Sequence, residues 1–335
     1  MSNWKGKNGP LMIAEIGGNH EGDFEYAKKL TQLAIESNVD FIKFQLYSGD
    51  SLVSPVENPI RNEHFKKFEL DHSYYIELAE MCKAANVGFM ASVWNPDYFE
   101  WIDPFMDIYK IGSGDMTAYP VLEATAAIGK PIILSTGLSS LEEVLDAVKF
   151  IQSCDPKYKD PEFLSILQCT AMYPIPAEYA HLSVMNSIKK ETGLPVGYSD
   201  HTEGSYALEI AVAMGAEILE FHFTDSREGK EFRDHKVSLT RDEVLELNKK
   251  ITEIRQLKGL AIKEKQSVEG EHPITFRRAV YPAFDLPKGT VLSPDNLVYL
   301  RPNHGIDARD YKKVIGKILT TDVKAFEKLN WSYLQ

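Results

Sequence analysis

From residue 11 to residue 257 the chain alternates short apolar runs with stretches in which apolar residues recur three and four apart. The first kind of pattern marks buried strands and the second amphipathic helices. The spacing predicts strands at 11–16, 40–46, 88–92, 106–111, 131–135, 163–168, 195–198 and 218–221. It predicts helices at 24–37, 74–86, 120–128, 141–152, 182–190, 205–214 and 241–257, with one more starting near Pro96. Residues 47–72, with Pro55 and Pro59, read as a long polar loop. Eight strands, each followed by a helix, over about 255 residues fit an α/β (β/α)8 TIM barrel. A doubly wound open sheet is the alternative, and the count of eight favours the barrel. The Gly17-Gly18 turn lacks the GxGxxG spacing of a dinucleotide site.

The pattern changes after Gly259. The barrel is expected over 1–258 and a charged, helix-poor linker over 259–275. Residues 276–335 are predicted to be short strands with turn signals, a small β-rich module of about 60 residues. That is too small to be the catalytic body.

Composition narrows the picture only a little. The 335 residues are 44% hydrophobic and 26% charged, enough for a sizeable core. The net charge of −12 argues against a nucleic-acid partner, which requires a basic face. It does not argue against an anionic small substrate, because a few lysines reverse the field inside a cleft. Cys82, Cys154 and Cys169 are scattered without CxxC spacing, as reduced thiols are. There is no apolar run long enough to span a membrane and no signal-peptide pattern at the N-terminus, so a cytoplasmic protein is expected.

In a barrel, chemistry collects where the strands end. The polar residues there are Glu15, Asn19 and His20; Lys43 and Gln45, which share a face by the period-two rule; Ser92; Lys110 and Ser113; Ser135 and Thr136; Gln168, Thr170 and Tyr173; Ser199, Asp200 and His201; His222 and Thr224; then Asp234 and His235. Two inward lysines among hydroxyls form a pocket for phosphate or carboxylate. Lys43 or Lys110 could instead form a Schiff base, or simply pair with Glu15 or Asp115. Glu15, alone in an apolar strand, needs a lysine, a metal or a bound water. His201 and His222 leave successive strands at the same end. They are a candidate pair for a divalent metal, though two imidazoles alone do not specify a site. Trp94, Phe221 and Phe223 read as packing.

Together these stretches resemble the sialic acid synthases, which condense phosphoenolpyruvate with an N-acyl hexosamine. The matching segments are IAEIGGNHEGDFEYAKKL, FIKFQ, YKIGSGDM, PIILSTGLSSLEEV, CTAMYP, GYSDHTEG, EFHFT and DHKVSL. The C-terminal RRAVY, DLPKGTVLSPDNL and RPNHGI resemble the antifreeze-like (SAF) domain found in the same family. The resemblance implies that His201 and His222 hold manganese, with magnesium or cobalt as alternatives. It implies that Lys43, Ser92, Lys110, Ser113, Ser135 and Ser199 bind phosphoenolpyruvate. Glu15 matches the carboxylate that activates water and is a catalytic candidate together with Asp234. Gln45, Asp115, Tyr173 and Arg301, with Asp234 nearby, match positions around the amino sugar. A domain-swapped homodimer is implied as well, with Arg301 supplied by the small domain.

The chain departs from the family in three places. Ala171 stands where members have Asn in HCTNIYP, Phe221 where they have Lys, and Phe232-Arg233 where they have the Gly-Pro of GPDH. The expected activity is therefore nonulosonic acid synthesis from N-acetylmannosamine or a related sugar, including the legionaminic or pseudaminic type. A class I pyruvate aldolase using a lysine Schiff base is the second enzyme reading, and a sugar-binding module without chemistry is the third.

Overall fold

The computed structural model describes residues 3–335. The chain falls into two compact units, Met1–Gly259 and Leu260–Gln335. In the first, eight parallel strands run in sequence order: β1 Gly9–Glu15, β2 Phe41–Leu46, β3 Gly88–Val93, β4 Tyr109–Ile111, β5 Ile132–Ser135, β6 Leu164–Cys169, β7 Val196–Asp200 and β8 Ile218–His222. β8 returns to pair with β1, from Leu11 opposite Ile218 to Glu15 opposite His222, and this closes the barrel.

The closure explains why the strands read as continuous apolar runs. Alternate side chains point into the barrel, and the others pack beneath the surrounding helices, so both faces are buried. Inside, Leu11, Ile13, Met90, Ile108, Ile133, Leu167 and Ile218 pack together with Trp4. Outside, residues such as Met12, Phe44, Leu134 and Phe221 join Leu30, Leu78, Leu122 and Leu208 of the helices. The interior is tight enough that a Cβ on Gly197 would lie 2.3 Å from the Ile218 carbonyl oxygen. Helix starts follow local chemistry. Asp23 accepts from the Tyr26 N–H at 3.0 Å ahead of Phe24–Glu36. Ser140 and Glu143 form a reciprocal capping box at the start of Leu141–Cys154.

Residues 47–72 are not the loop that the sequence predicts. They hold two short helices, Gly49–Leu52 and Pro59–Lys67. Neither is long enough to be stable alone. Asn62, 1% exposed, ties them together by donating to the carbonyls of Gly49 (3.0 Å) and Val53 (2.8 Å). The helix expected near Pro96 is only a 3-10 turn, Pro96–Tyr98, followed by one α turn, Phe99–Ile102.

The second unit has its own core, with Val280, Leu286, Leu292, Ile306, Val314, Leu319 and Leu329 buried together. Among the described residues its regular strands are β9 Ala279–Pro282 and β10 Leu297–Leu300, which are antiparallel. The rest of the expected β pattern appears as single bridges such as Leu286 with Val323 and Val291 with Ile318. No helix among the described residues is long and apolar enough to cross a membrane.

Candidate active site at the barrel mouth

The inward positions above the apolar plug are polar, and this change of character along each strand creates the site. On β1 the inward series is Leu11, Ile13, Glu15; on β8 it is Ile218, Glu220, His222. A cavity of about 1250 Å³ opens there. Glu15, Lys43, Gln45, Ser92, Lys110, Ser113, Asp115, Ser135, Tyr173, Ser199, His201, His222 and Asp234 all line it. Arg301 belongs to the second unit, where it borders a separate pocket of about 460 Å³ with Tyr281, His304 and Phe326.

The floor is a network of two lysines and two carboxylates. Lys43 Nζ lies 2.7 Å from Glu15 Oε2 and 3.7 Å from Glu220 Oε2, and Lys110 Nζ lies 3.5 Å from Glu220 Oε1. Ser199 donates to Glu220 at 2.9 Å, Lys110 to Ser135 Oγ at 2.7 Å, and Gln45 to Glu15 at 2.8 Å. All four charged groups are at most 6% exposed.

Environment separates the two carboxylates. Burial, reinforced by Glu220, raises the Glu15 carboxyl despite Lys43. Burial pushes Glu220 the same way, but Lys110 and Lys43 outweigh it and hold that carboxyl below its usual range. The lysines diverge too. Burial lowers Lys110, whereas at Lys43 the same burial is overcome by Glu15 and Glu220, which raise it. Two carboxyls pushed apart in this way mark one proton carrier and one permanent anion.

Glu220 was missed by the sequence reading, as was Cys169, which also lines the cavity. The alternation that places Lys43 with Gln45 also places Glu220 with His222. Gln168 and Thr170, the polar residues expected at the end of β6, turn to the protein: Gln168 donates to the Ala180 carbonyl at 3.2 Å and the Thr170 hydroxyl to the Tyr179 carbonyl at 2.8 Å. Asn19 bridges the Phe223 carbonyl and Ser238, His20 accepts from the Gly22 N–H, and Thr224 bonds His235. These are structural roles.

His201 and His222 sit side by side, with ring centroids 5.2 Å apart. His201 Nδ1 is 2.9 Å from the Thr170 carbonyl oxygen, and His222 Nδ1 is 3.8 Å from Asp234 Oδ2. The carbonyl thus holds Nδ1 of His201 and leaves its Nε2 as the lone pair, the usual arrangement around a metal-ligating histidine, while Nδ1 of His222 is buried without a hydrogen-bond partner. Burial and His201 keep His222 well below the ordinary imidazole range, in the neutral form that ligation needs. The pair fits a divalent ion. No set of three or more His, Cys, Asp or Glu among the described residues has metal-site geometry, so two imidazoles are what these residues supply. Tyr173 packs on both rings, at 4.0 Å from His201 and 5.5 Å from His222, and the Arg233 guanidinium covers it at 4.5 Å.

The upper wall differs from the floor. Phe65, Phe68, Trp94 and Phe232 supply aromatic surface, and Glu21, Glu57, Asp115 and Glu231 supply acid against Arg61 and Arg233. Burial lifts the Asp115 carboxyl to about 6. Trp94 stacks on Tyr47 at 5.1 Å, and Phe221 and Phe223 are buried outside the cavity, as packing residues are.

Known proteins resemble this chain over most of its length. The NeuB family pattern matches residues 30–263 and the SAF domain pattern residues 277–334. N,N'-diacetyllegionaminic acid synthase of Campylobacter jejuni is 33% identical over 330 residues, covering 95% of this chain and 98% of that protein. The human N-acetylneuraminate-9-phosphate synthase is 29% identical over 336 residues, covering 96% and 92%. The crystal structure of N-acetylneuraminic acid (sialic acid) synthetase from Leptospira borgpetersenii, in complex with citrate, superposes with a TM-score of 0.72 at 31% identity, over 79% of this chain and 90% of that one. The chain belongs to the NeuB family of synthases, with a (β/α)8 barrel followed by a SAF domain.

Proposed function

We propose that the protein is a nonulosonic acid synthase that condenses phosphoenolpyruvate with an open-chain, uncharged N-acyl hexosamine and releases phosphate. The observation that carries the reading is the floor: two buried lysines and a ring of serines directly beside two paired imidazoles. Lys43, Lys110, Ser92, Ser113, Ser135 and Ser199 bind the phosphate and carboxylate of phosphoenolpyruvate. His201 and His222 hold a divalent ion, manganese by preference, which when bound supplies Lewis-acid polarisation of the acceptor aldehyde.

C3 of the enol ester attacks the aldehyde carbon, and a carbon–carbon bond forms. Asp234, whose carboxyl is raised by burial despite Arg233, delivers a proton to the new alkoxide. Positive charge develops at C2, and the ionised Glu220 in the floor stabilises it. Glu15 takes a proton from the water that adds at C2. The resulting hemiketal phosphate then breaks its C2–O bond, so the bridging oxygen leaves with phosphate and a 2-keto acid remains.

The acidic upper wall favours an acceptor without a phosphate group, which Lys43 and Lys110 in the floor are too committed to neutralise. A phosphate-release assay with phosphoenolpyruvate and a panel of N-acyl hexosamines tests the reading. Release that depends on the acceptor and stops with chelator supports it, and no release with any member refutes it. One observation favours the aldolase alternative: burial lowers Lys110, as a Schiff-base amine requires. Borohydride trapping with pyruvate separates the two. The domain-swapped homodimer, with Arg301 serving the sugar, is a further part of the proposal. Restored activity on mixing an Arg301→Ala chain with a Glu15→Gln chain would support it.

A further inference from the structure

The loop between β8 and the helix Arg241–Lys258 crosses the acceptor side of the cavity and is firmly held. Tyr26 donates to Asp225 at 2.6 Å, His235 bridges Thr224 (2.7 Å) and Glu21 (3.1 Å), and Arg227 donates to the Ser238 carbonyl at 2.7 Å and to Glu243. On this fixed loop Phe232 projects into the cavity wall, two residues before Asp234. Its ring packs on Phe68 at 4.9 Å, faces His64 at 6.0 Å and meets His235 edge-on at 6.3 Å. A Cβ on Gly18 would come within 3.1 Å of that ring, so the absence of a side chain there gives the phenyl its place. Phe65 continues the same wall. The result is a preformed aromatic patch beside the proposed acceptor site, flanked by Glu21 and Glu231, with Arg61 over Phe65 at 5.5 Å.

A hydroxymethyl or phosphate group placed against this patch would lose its hydrogen-bonding partners to rings that cannot replace them, whereas a methyl group would lose only water. Resting on the synthase reading above, we propose that Phe232 is a specificity-determining residue that selects acceptors presenting a methyl group to the Phe68–Phe232 patch. The methyl is either a 6-deoxy carbon or the end of an N-acetyl group.

The test compares wild type, Phe232→Ala and Phe232→Leu on four sugars: N-acetylmannosamine, its 6-deoxy analogue, its N-formyl analogue and its 6-phosphate. Both kcat/KM and equilibrium binding in the presence of phosphoenolpyruvate are measured. Wild type should favour one methyl-bearing member of a pair (6-deoxy over 6-hydroxy, or N-acetyl over N-formyl) by about tenfold, the scale of one methyl in an apolar pocket. The 6-phosphate should be poorest. Phe232→Ala should lose that preference at unchanged melting temperature, and Phe232→Leu should keep most of it. Preferences that are the same in Phe232→Ala and wild type, or a wild-type preference for the 6-phosphate, would overturn the proposal. Because binding reads the preference without turnover, an absence of phosphate release counts against the synthase reading, and an unchanged binding preference counts against Phe232.

Discussion

Replacing Glu220 by glutamine tests whether the barrel floor is an electrostatic device for holding an anion. In the free protein this carboxylate faces Lys110 at 3.5 Å and Lys43 at 3.7 Å. At an effective dielectric of about 20, each contact is worth roughly 4–5 kcal/mol of gross attraction. Removing the charge also relieves several kcal/mol of carboxylate desolvation, so the net cost falls in the range measured for broken buried pairs, about 3–5 kcal/mol. For a barrel of this size that corresponds to a melting point lower by roughly 10 °C. Phosphoenolpyruvate supplies replacement negative charge to the same lysines. The deficit should therefore shrink to about 1 kcal/mol or less at saturating ligand, and the ligand-induced rise in melting temperature should be larger in Glu220→Gln than in wild type. Calorimetric melts of both proteins with and without phosphoenolpyruvate measure this directly. Equal stability of the two free proteins, or a ligand-induced rise no larger in the variant, would refute the reasoning.

Other changes separate the roles assigned around the mouth. Glu15→Gln should cut turnover at least a hundredfold, on the scale of a lost general base of about 10²–10⁴, with the far-ultraviolet circular dichroism unchanged; near-normal turnover would remove Glu15 from the mechanism. Asp115 has a folded pKa of about 6 against an ordinary 3.8, so its ionised form costs stability above pH 6 and nothing below about pH 4. Asp115→Asn should accordingly stabilise the protein by roughly 2–3 kcal/mol at pH 8, at about 1.4 kcal/mol per pH unit, with the gain fading as the pH falls to 4; a pH-independent difference in denaturant titrations would contradict this. Manganese should bind once per chain by titration calorimetry and stabilise the barrel by about 2.7 kcal/mol at a hundredfold excess over Kd. His222→Gln should abolish both effects, and unaltered binding would place the ion elsewhere.

The sequence made the scaffold readable because each barrel strand is buried on both faces and bounded by a helix of clear period. The inward face was readable only where a polar residue interrupts it. Lys43 and Gln45 announce their shared side, but Glu220 sits inside ILEFH, where Leu219 and Phe221 face the helices and Ile218 the plug. The alternation of Leu219, Glu220, Phe221 and His222 puts the carboxylate on the face of the histidine, and counting back two positions from His222 reveals it. Cys169 was hidden in LSILQC, a strand buried along its whole length, because a thiol does not stand out from an apolar run. The short helices over residues 47–72 escaped for another reason. They depend on the buried Asn62 and its bonds to Gly49 and Val53, which are tertiary contacts that no local pattern encodes. In the C-terminal unit, single bridges take the place of the regular strands expected beyond β9 and β10, so a reading that counts turn signals overstates its sheet.

The most direct test of the account is to incubate the protein with phosphoenolpyruvate, manganese and N-acetylmannosamine or its 6-deoxy analogue, and to follow products by mass spectrometry with the bridging C2 oxygen labelled. One labelled phosphate is expected for each new 2-keto sugar acid, whose mass is that of the acceptor plus a pyruvate unit. Phosphate without the sugar acid, label retained in the sugar acid, or the same product formed from pyruvate alone would contradict it.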